Sequence, residues 1–195
     1  MARLFVAIGL PDATRKSLSK LLPGGVPSLC KAPAERLHLT LRFIGQADES
    51  IVAETLGEVS MPENLILKIR GTGLFGSEQH PKVLWAGIEA APELIELQRT
   101  IENRLFDSGF ARESRPWKPH ISLARVRHSR ALSATERQRR DRTIERFLNV
   151  ENPTEFPELS VDTFTLYASE TLAGMLHYRE AKRFSSPARV TVASA

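Results

Sequence analysis

Cysteine is almost missing from this chain: Cys30 is the only one in 195 residues. A single thiol closes no internal disulfide and supplies no thiolate cluster for a structural metal. The natural setting for such a chain is a reducing one, and a cytoplasmic protein is expected. Long apolar runs are also missing, since nothing approaches the roughly 20 residues of a membrane span. The N-terminal Leu4–Leu10 segment is short, and Pro11, Asp12 and the charged stretch beyond read it as a first strand rather than a signal core. Histidines number five, and three of them (His80, His128 and His177) have no hydroxyl residue two positions on. Those three are expected at the surface. No group of histidines or carboxylates gathers near the other two, so the sequence predicts no metal and no cofactor.

The other two histidines stand in a pattern that occurs twice. His38-Leu39-Thr40-Leu41 and, 82 residues later, His120-Ile121-Ser122-Leu123 both read His, apolar, hydroxyl, apolar. Alternation of this kind predicts β-strands. Successive strand side chains point to opposite faces, so His38 and Thr40 share one face and Leu37, Leu39 and Leu41 turn to a core. His120 and Ser122 pair likewise, backed by Ile121 and Leu123. Each copy presents one imidazole and one hydroxyl about 7 Å apart. Imidazole has its pKa nearest neutrality, so one ring serves as base while the other serves as acid. The hydroxyls suit donation to an oxygen that gains charge in a transition state. Strict alternation also puts Arg42 on the His38/Thr40 face, beside a bound phosphate. Arg125 falls out of phase with His120 and joins it only through a twist or bulge. Phe43 and Trp117 are candidates to stack on a base, with core packing an equal reading for Phe43. Trp85 is expected in the core or between lobes.

The segments HLTLRFIG at 38–45, RPWKPHISLAR at 115–125, RLFVAIGLP at 3–11 and PKVLWAG at 81–87 together resemble the 2H phosphoesterase superfamily. Within it they are most similar to the RNA 2′,3′-cyclic phosphodiesterase, or 2′-5′ RNA ligase, branch. The resemblance runs from about residue 3 to residue 127 and is looser beyond. It implies an α+β fold: two pseudo-symmetric lobes of antiparallel sheet, helices outside, motif strands lining a central groove, the whole of 1–195 forming one two-lobed domain. It implies metal-independent opening of RNA 2′,3′-cyclic phosphate ends to 2′-phosphomonoesters, with minor 2′-5′ ligation. In the family's roles His38 is the proton donor and His120 the acceptor; the residues alone leave that direction open. The implied partner is RNA with a cyclic phosphate end, tRNA fragments included, met by a monomer with no membrane and no obligate protein partner. The alternatives are a 2H enzyme acting on small cyclic nucleotides or 2′-5′ oligonucleotides, and a nucleotide-binding module without turnover.

The chain carries a net charge of +4, and the charge is uneven. Between residues 125 and 146 stand eight arginines against Glu136, Asp141 and Glu145, a stretch that reads either as a patch for phosphate polyanions or as a solvated helix face. Elements are expected as follows: strand 3–10, helix 12–22, a loop over 26–35, strand 36–44 ended by Gly45, helix 48–59, strand 64–74, a glycine-rich loop over 71–81 and strand 82–89. Helix 92–106, strand 119–125 and helix 133–148, opened by a Ser133–Glu136 capping box, come next. A linker punctuated by Pro153 and Pro157 leads to a final hairpin of strands 158–168 and 174–184, followed by a loose tail over 185–195.

Overall fold

In the computed structural model, residues 2–128, 131–149, 156–172 and 174–185 are described; Pro153 and the tail beyond 185 lie outside them. Among the described residues, ten strands and four α-helices follow one another as β1 (Ala2–Gly9), α1 (Asp12–Ser19), β2 (Leu29–Lys31), β3 (His38–Ala47), α2 (Glu49–Gly57), β4 (Leu65–Leu67), β5 (Ile69–Gly76), β6 (Pro81–Ile88), α3 (Pro92–Asp107), β7 (His120–Val126), α4 (Ala134–Leu148), β8 (Leu159–Val161), β9 (Thr163–Leu172) and β10 (Met175–Ser185). Every pairing among these strands is antiparallel, which makes the fold α+β.

The main sheet runs β10-β9-β1-β3-β7-β6-β5, with β2 also paired to β7. Its centre is a relation between two halves. The path β1-α1-β3-α2-β4-β5 is matched by β6-α3-β7-α4-β8-β9, and the strand order β9-β1-β3 mirrors β5-β6-β7. The leftover short strands β4 and β8 pair only with each other, Leu65 to Val161 and Leu67 to Leu159. The two motif strands are the innermost pair, joined at Leu39 and Ile121.

The predicted apolar stripes explain what covers the sheet. Leu94, Leu97, Ile101 and Leu105 of α3 are all buried, as are Val52 and Leu56 of α2, Leu18 of α1, and Ile144 and Phe147 of α4. They pack with Leu39, Leu41, Ile121 and Leu123 in one apolar cluster, so the histidines point away from it. Helix α4 begins with the capping box expected, Ser133 and Glu136 satisfying each other's backbone N–H. The Asp48 carboxylate caps α2.

Several expected boundaries differ, among them the end of α1, which stops at Ser19, and the end of β9, which runs to Leu172. The 26–35 loop contains β2, which pairs Leu29–Lys31 with Val126–Ala124. Gly45 does not end the first motif strand: it takes φ 91° inside an irregularity, and pairing continues to Ala47. The strand expected over 64–74 is two, because β4 pairs with β8 and the chain changes sheets at Lys68; β8 likewise separates from β9. Finally, the glycines at 71, 73 and 76 belong to β5 rather than to a loop. A Cβ on Gly73 would lie 2.2 Å from the Trp85 ring, so the indole requires a bare backbone beneath it.

Candidate active site

Both motif strands carry a bulge at the same place. Opposite β1, Ala7 pairs with Thr40 but Val6 pairs with Arg42, so Leu41 is skipped. Opposite β6, Trp85 pairs with Ser122 but Leu84 pairs with Ala124, so Leu123 is skipped. A bulge of one residue reverses the alternation beyond it. Phe43 therefore joins His38 and Thr40, and Arg125 joins His120 and Ser122. Arg125 is exposed, and its guanidinium has no partner among the described residues. Phe43 is 57% exposed and lies 6.1 Å, centroid to centroid, from the Phe5 ring. It is not a core residue.

The same bulge corrects the expectation for Arg42, which turns to the opposite face and is 8% exposed. Its Nε lies 2.5 Å from Glu102 Oε2 on α3, and its Nη atoms donate to the Phe43 and Ala111 carbonyls. Glu102 also accepts from the Glu113 N–H at 3.1 Å. Trp117, the other candidate stacking residue, is part-buried against the core and donates from Nε1 to the Thr40 carbonyl at 3.0 Å. Arg42, Glu102 and Trp117 together fasten the 108–119 segment to the first motif strand. They fix where His120 stands relative to His38.

Each histidine is held in the same way. His38 Nδ1–H donates to the Arg36 carbonyl at 2.7 Å, and His120 Nδ1–H to the Lys118 carbonyl at 2.7 Å. A carbonyl only accepts, so the proton of each neutral ring sits on Nδ1 and Nε2 is left for chemistry. The rings are walled by aromatics. Phe5 (5.0 Å), Tyr178 (5.5 Å) and Tyr167 (6.4 Å) surround His38; Phe75 (4.7 Å) and Trp85 (6.3 Å) surround His120. Burial is the main reason both imidazoles stay below their ordinary pKa, against the opposing pull of the backbone carbonyls. The charge of His120 lowers His38 further, and the Lys118 ammonium lowers His120. The hydroxyls of Thr40 and Ser122 have no hydrogen-bond partner among the described residues. Among the described residues, one face thus offers two Nε2 atoms together with the unpartnered Thr40 and Ser122 hydroxyls and the unpartnered Arg125 guanidinium. That inventory suits proton transfer to and from a phosphodiester. Among the described residues no three His, Cys, Asp or Glu side chains converge as a metal site, and no helix is long and apolar enough to cross a membrane.

Sequence reading did not single out the aromatic walls. Phe5, Phe75, Tyr167 and Tyr178 come from four different strands, and only sheet register aligns them. Trp85, expected in the core or between lobes, is 7% exposed and stands beside His120, with the Lys118 ammonium 4.3 Å above its ring. Its phase in β6 is even with Gly87, opposite His120, a signal readable only once β6 and β7 are known to pair. His80, His128 and His177 are exposed as expected.

The chain is similar to known proteins. An RNA 2′,3′-cyclic phosphodiesterase of Escherichia coli is 29% identical over 190 residues, covering 94% of this chain and 96% of its own. The Thermotoga maritima protein of the same name is 28% identical over 177 residues, 86% of each. The crystal structure of E. coli LigT complexed with 3′-AMP matches with a TM-score of 0.73 and 27% identity, over 95% of this chain and 98% of that one. Residues 16–171 match the 2′-5′ RNA ligase superfamily, and the chain belongs to that family.

Proposed function

We propose that the chain hydrolyses RNA 2′,3′-cyclic phosphate ends to 2′-phosphomonoesters without a metal. The observation that carries this reading is the matched pair of imidazoles, each tied through Nδ1 to the carbonyl two residues before it and each offering Nε2 on one face. His120 takes a proton from water as the water oxygen bonds to phosphorus. The P–O3′ bond breaks, and His38 gives its Nε2 proton to the departing O3′. The rings then exchange protons with solvent, so the cycle closes. Thr40 and Ser122 donate to the non-bridging oxygens, whose charge grows in the transition state. Arg125 neutralises the phosphate, and Phe43 stacks on the terminal base.

Lys118 supports the direction of transfer. Burial first, and then the Lys118 ammonium, disfavours the imidazolium form of His120, which suits a base that starts neutral. The cyclic phosphate carries one negative charge, and that charge favours the protonated form of the other ring, supplying the acid. An RNA 5′-hydroxyl replacing water would form a 2′-5′ linkage by the same bond changes; this is the minor reaction. One histidine from each half supports a single two-lobed domain acting as a monomer, and the lone cysteine supports the cytoplasm as its place of work. RNA fragments with cyclic phosphate ends, tRNA pieces among them, are the substrates.

The test is direct. Purified protein is incubated with a short RNA ending in 2′,3′-cyclic phosphate, and the position of the product phosphate is determined. A 2′-monoester is expected. No conversion, or a 3′-monoester, overturns the reading.

A further inference from the structure

The arginines of α4 divide into two groups. Arg140 lies 2.8 Å from the Asp141 carboxylate, and Arg137 donates to the Leu132 carbonyl at 2.5 Å. Arg139, Arg142 and Arg146 have no partner for their guanidinium groups among the described residues. Their i, i+3, i+7 spacing puts them on one side of the helix over about 10 Å. That side forms one wall of a cavity of about 370 Å³ that also includes Gln138 and, from the segment before β2, Val26. Among the described residues no carboxylate lines it. Three like charges around one concavity repel each other, and an anion relieves that repulsion. The other cavity of similar volume, beside Gly9 and Tyr167, mixes Arg15 and Arg183 with Asp162 and Glu180 and shows no such bias.

The cavity is within reach of the catalytic face. Val26 is four residues before Cys30, a span of at most about 14 Å. Cys30 pairs directly with Arg125, adding about 5 Å. Arg125 is a cation on the histidine face with no partner among the described residues, so unpaired arginines occur at both ends of a short path along β2.

Building on the cyclic phosphodiesterase reading, we propose that Arg139, Arg142 and Arg146 bind the phosphate backbone of the RNA body upstream of the reacting end. The enzyme then holds its substrate at two places: the terminal phosphate at the histidines, and upstream phosphates at α4. Mononucleotide and long RNA differ in use of the second place alone.

The experiment measures binding without turnover. The affinity of a fluorescent RNA bearing a 2′-phosphate end, long enough to span both places, is followed by anisotropy across a salt series. The wild type is compared with R139Q/R142Q/R146Q and with the control R137Q/R140Q. Single-stranded contacts contribute about 0.7 each to the slope of log affinity against log salt. The triple variant is expected to have a slope shallower by about 2, so that between 50 and 200 mM salt it loses roughly twentyfold less affinity than the wild type. The control should keep the wild-type slope, which separates a built site from bulk charge. Equal slopes for wild type and triple variant, or equal flattening in the control, overturn the proposal. Lost heparin retention with unchanged RNA affinity also overturns it and assigns the surface to another polyanion. Cyclic phosphate turnover is assayed separately, so a failed catalytic reading remains distinguishable from a failed binding site.

Discussion

Phe43 and Arg125 occupy the same position in the two motif strands, five residues after His38 and His120, and each reaches the histidine face through a one-residue bulge. The pseudo-symmetry of the fold gives two equal scaffolds, and the chain places different chemistry on them: a ring on one, a cation on the other. A nucleotide end has the same asymmetry, with a base and a phosphate.

Phe43→Ala and Arg125→Gln should therefore weaken substrate handling without weakening the fold. Both side chains are exposed, so stability should change by no more than about 0.5 kcal/mol. Lost stacking costs about 1–3 kcal/mol, and a lost charge-assisted hydrogen bond about 1.5–3 kcal/mol. The first corresponds to roughly a 5- to 150-fold drop in kcat/KM and the second to roughly a 10- to 150-fold drop. Steady-state kinetics beside a denaturant titration decide it. An unfolded variant, or unchanged kcat/KM, counts against these roles.

Arg42→Met should show the opposite profile. It removes one partner of a buried pair and leaves Glu102 uncompensated, which costs about 3–5 kcal/mol. Urea midpoints measure the loss. If Arg42 instead contacted phosphate, activity would fall while the midpoint stayed in place.

The depressed imidazoles set the pH behaviour. Both sit below the ordinary value near 6.5, so the unfolded chain binds more protons than the folded one once pH falls below about 6.5. Stability should decline there. The pH profile of kcat/KM reports the free enzyme, and its optimum should lie on the acid side of 6.5. Bound anion raises the pKa of the acid, so the basic limb of kcat should move upward. An optimum of kcat/KM well above 7 would contradict the assignment of both groups.

The direction of proton transfer has its own test. An activated aryl phosphodiester leaves without help from an acid, so His38→Ala should lose much less on it than on a ribose leaving group. His120→Ala should lose similarly on both. A reversed pattern exchanges the two roles.

Much of this arrangement was legible in the chain. Two His-apolar-hydroxyl-apolar runs defined the motif strands, and the stripe of Leu94, Leu97, Ile101 and Leu105 defined the buried side of α3. The capping box at Ser133 marked the start of α4. What escaped depends on pairing between distant segments. No alternation rule contains the skipped Leu41 and Leu123, because a bulge is a property of two strands and not of one. Strict alternation puts Arg42 on the wrong face for that reason, and Arg125 reaches the histidine face only when the bulge is counted. The same holds for the Lys68 break, where Leu65, Leu67 and Ile69 keep a single phase while the chain moves between sheets. Gly73 reads as a loop residue until the indole of Trp85 is seen lying across it.

Single-turnover hydrolysis of a 2′,3′-cyclic phosphate RNA in excess chelator decides whether two imidazoles carry the reaction by proton transfer alone. Wild type, His38→Ala, His120→Ala and the double variant are compared. The wild type should keep its rate in chelator, and each single variant should fall by about 10²–10⁴-fold. The double variant should fall by less than the product of the two, since the rings act as a unit. A wild type silenced by chelator and restored by one divalent ion, or a single variant that keeps near-wild-type turnover, would contradict the account.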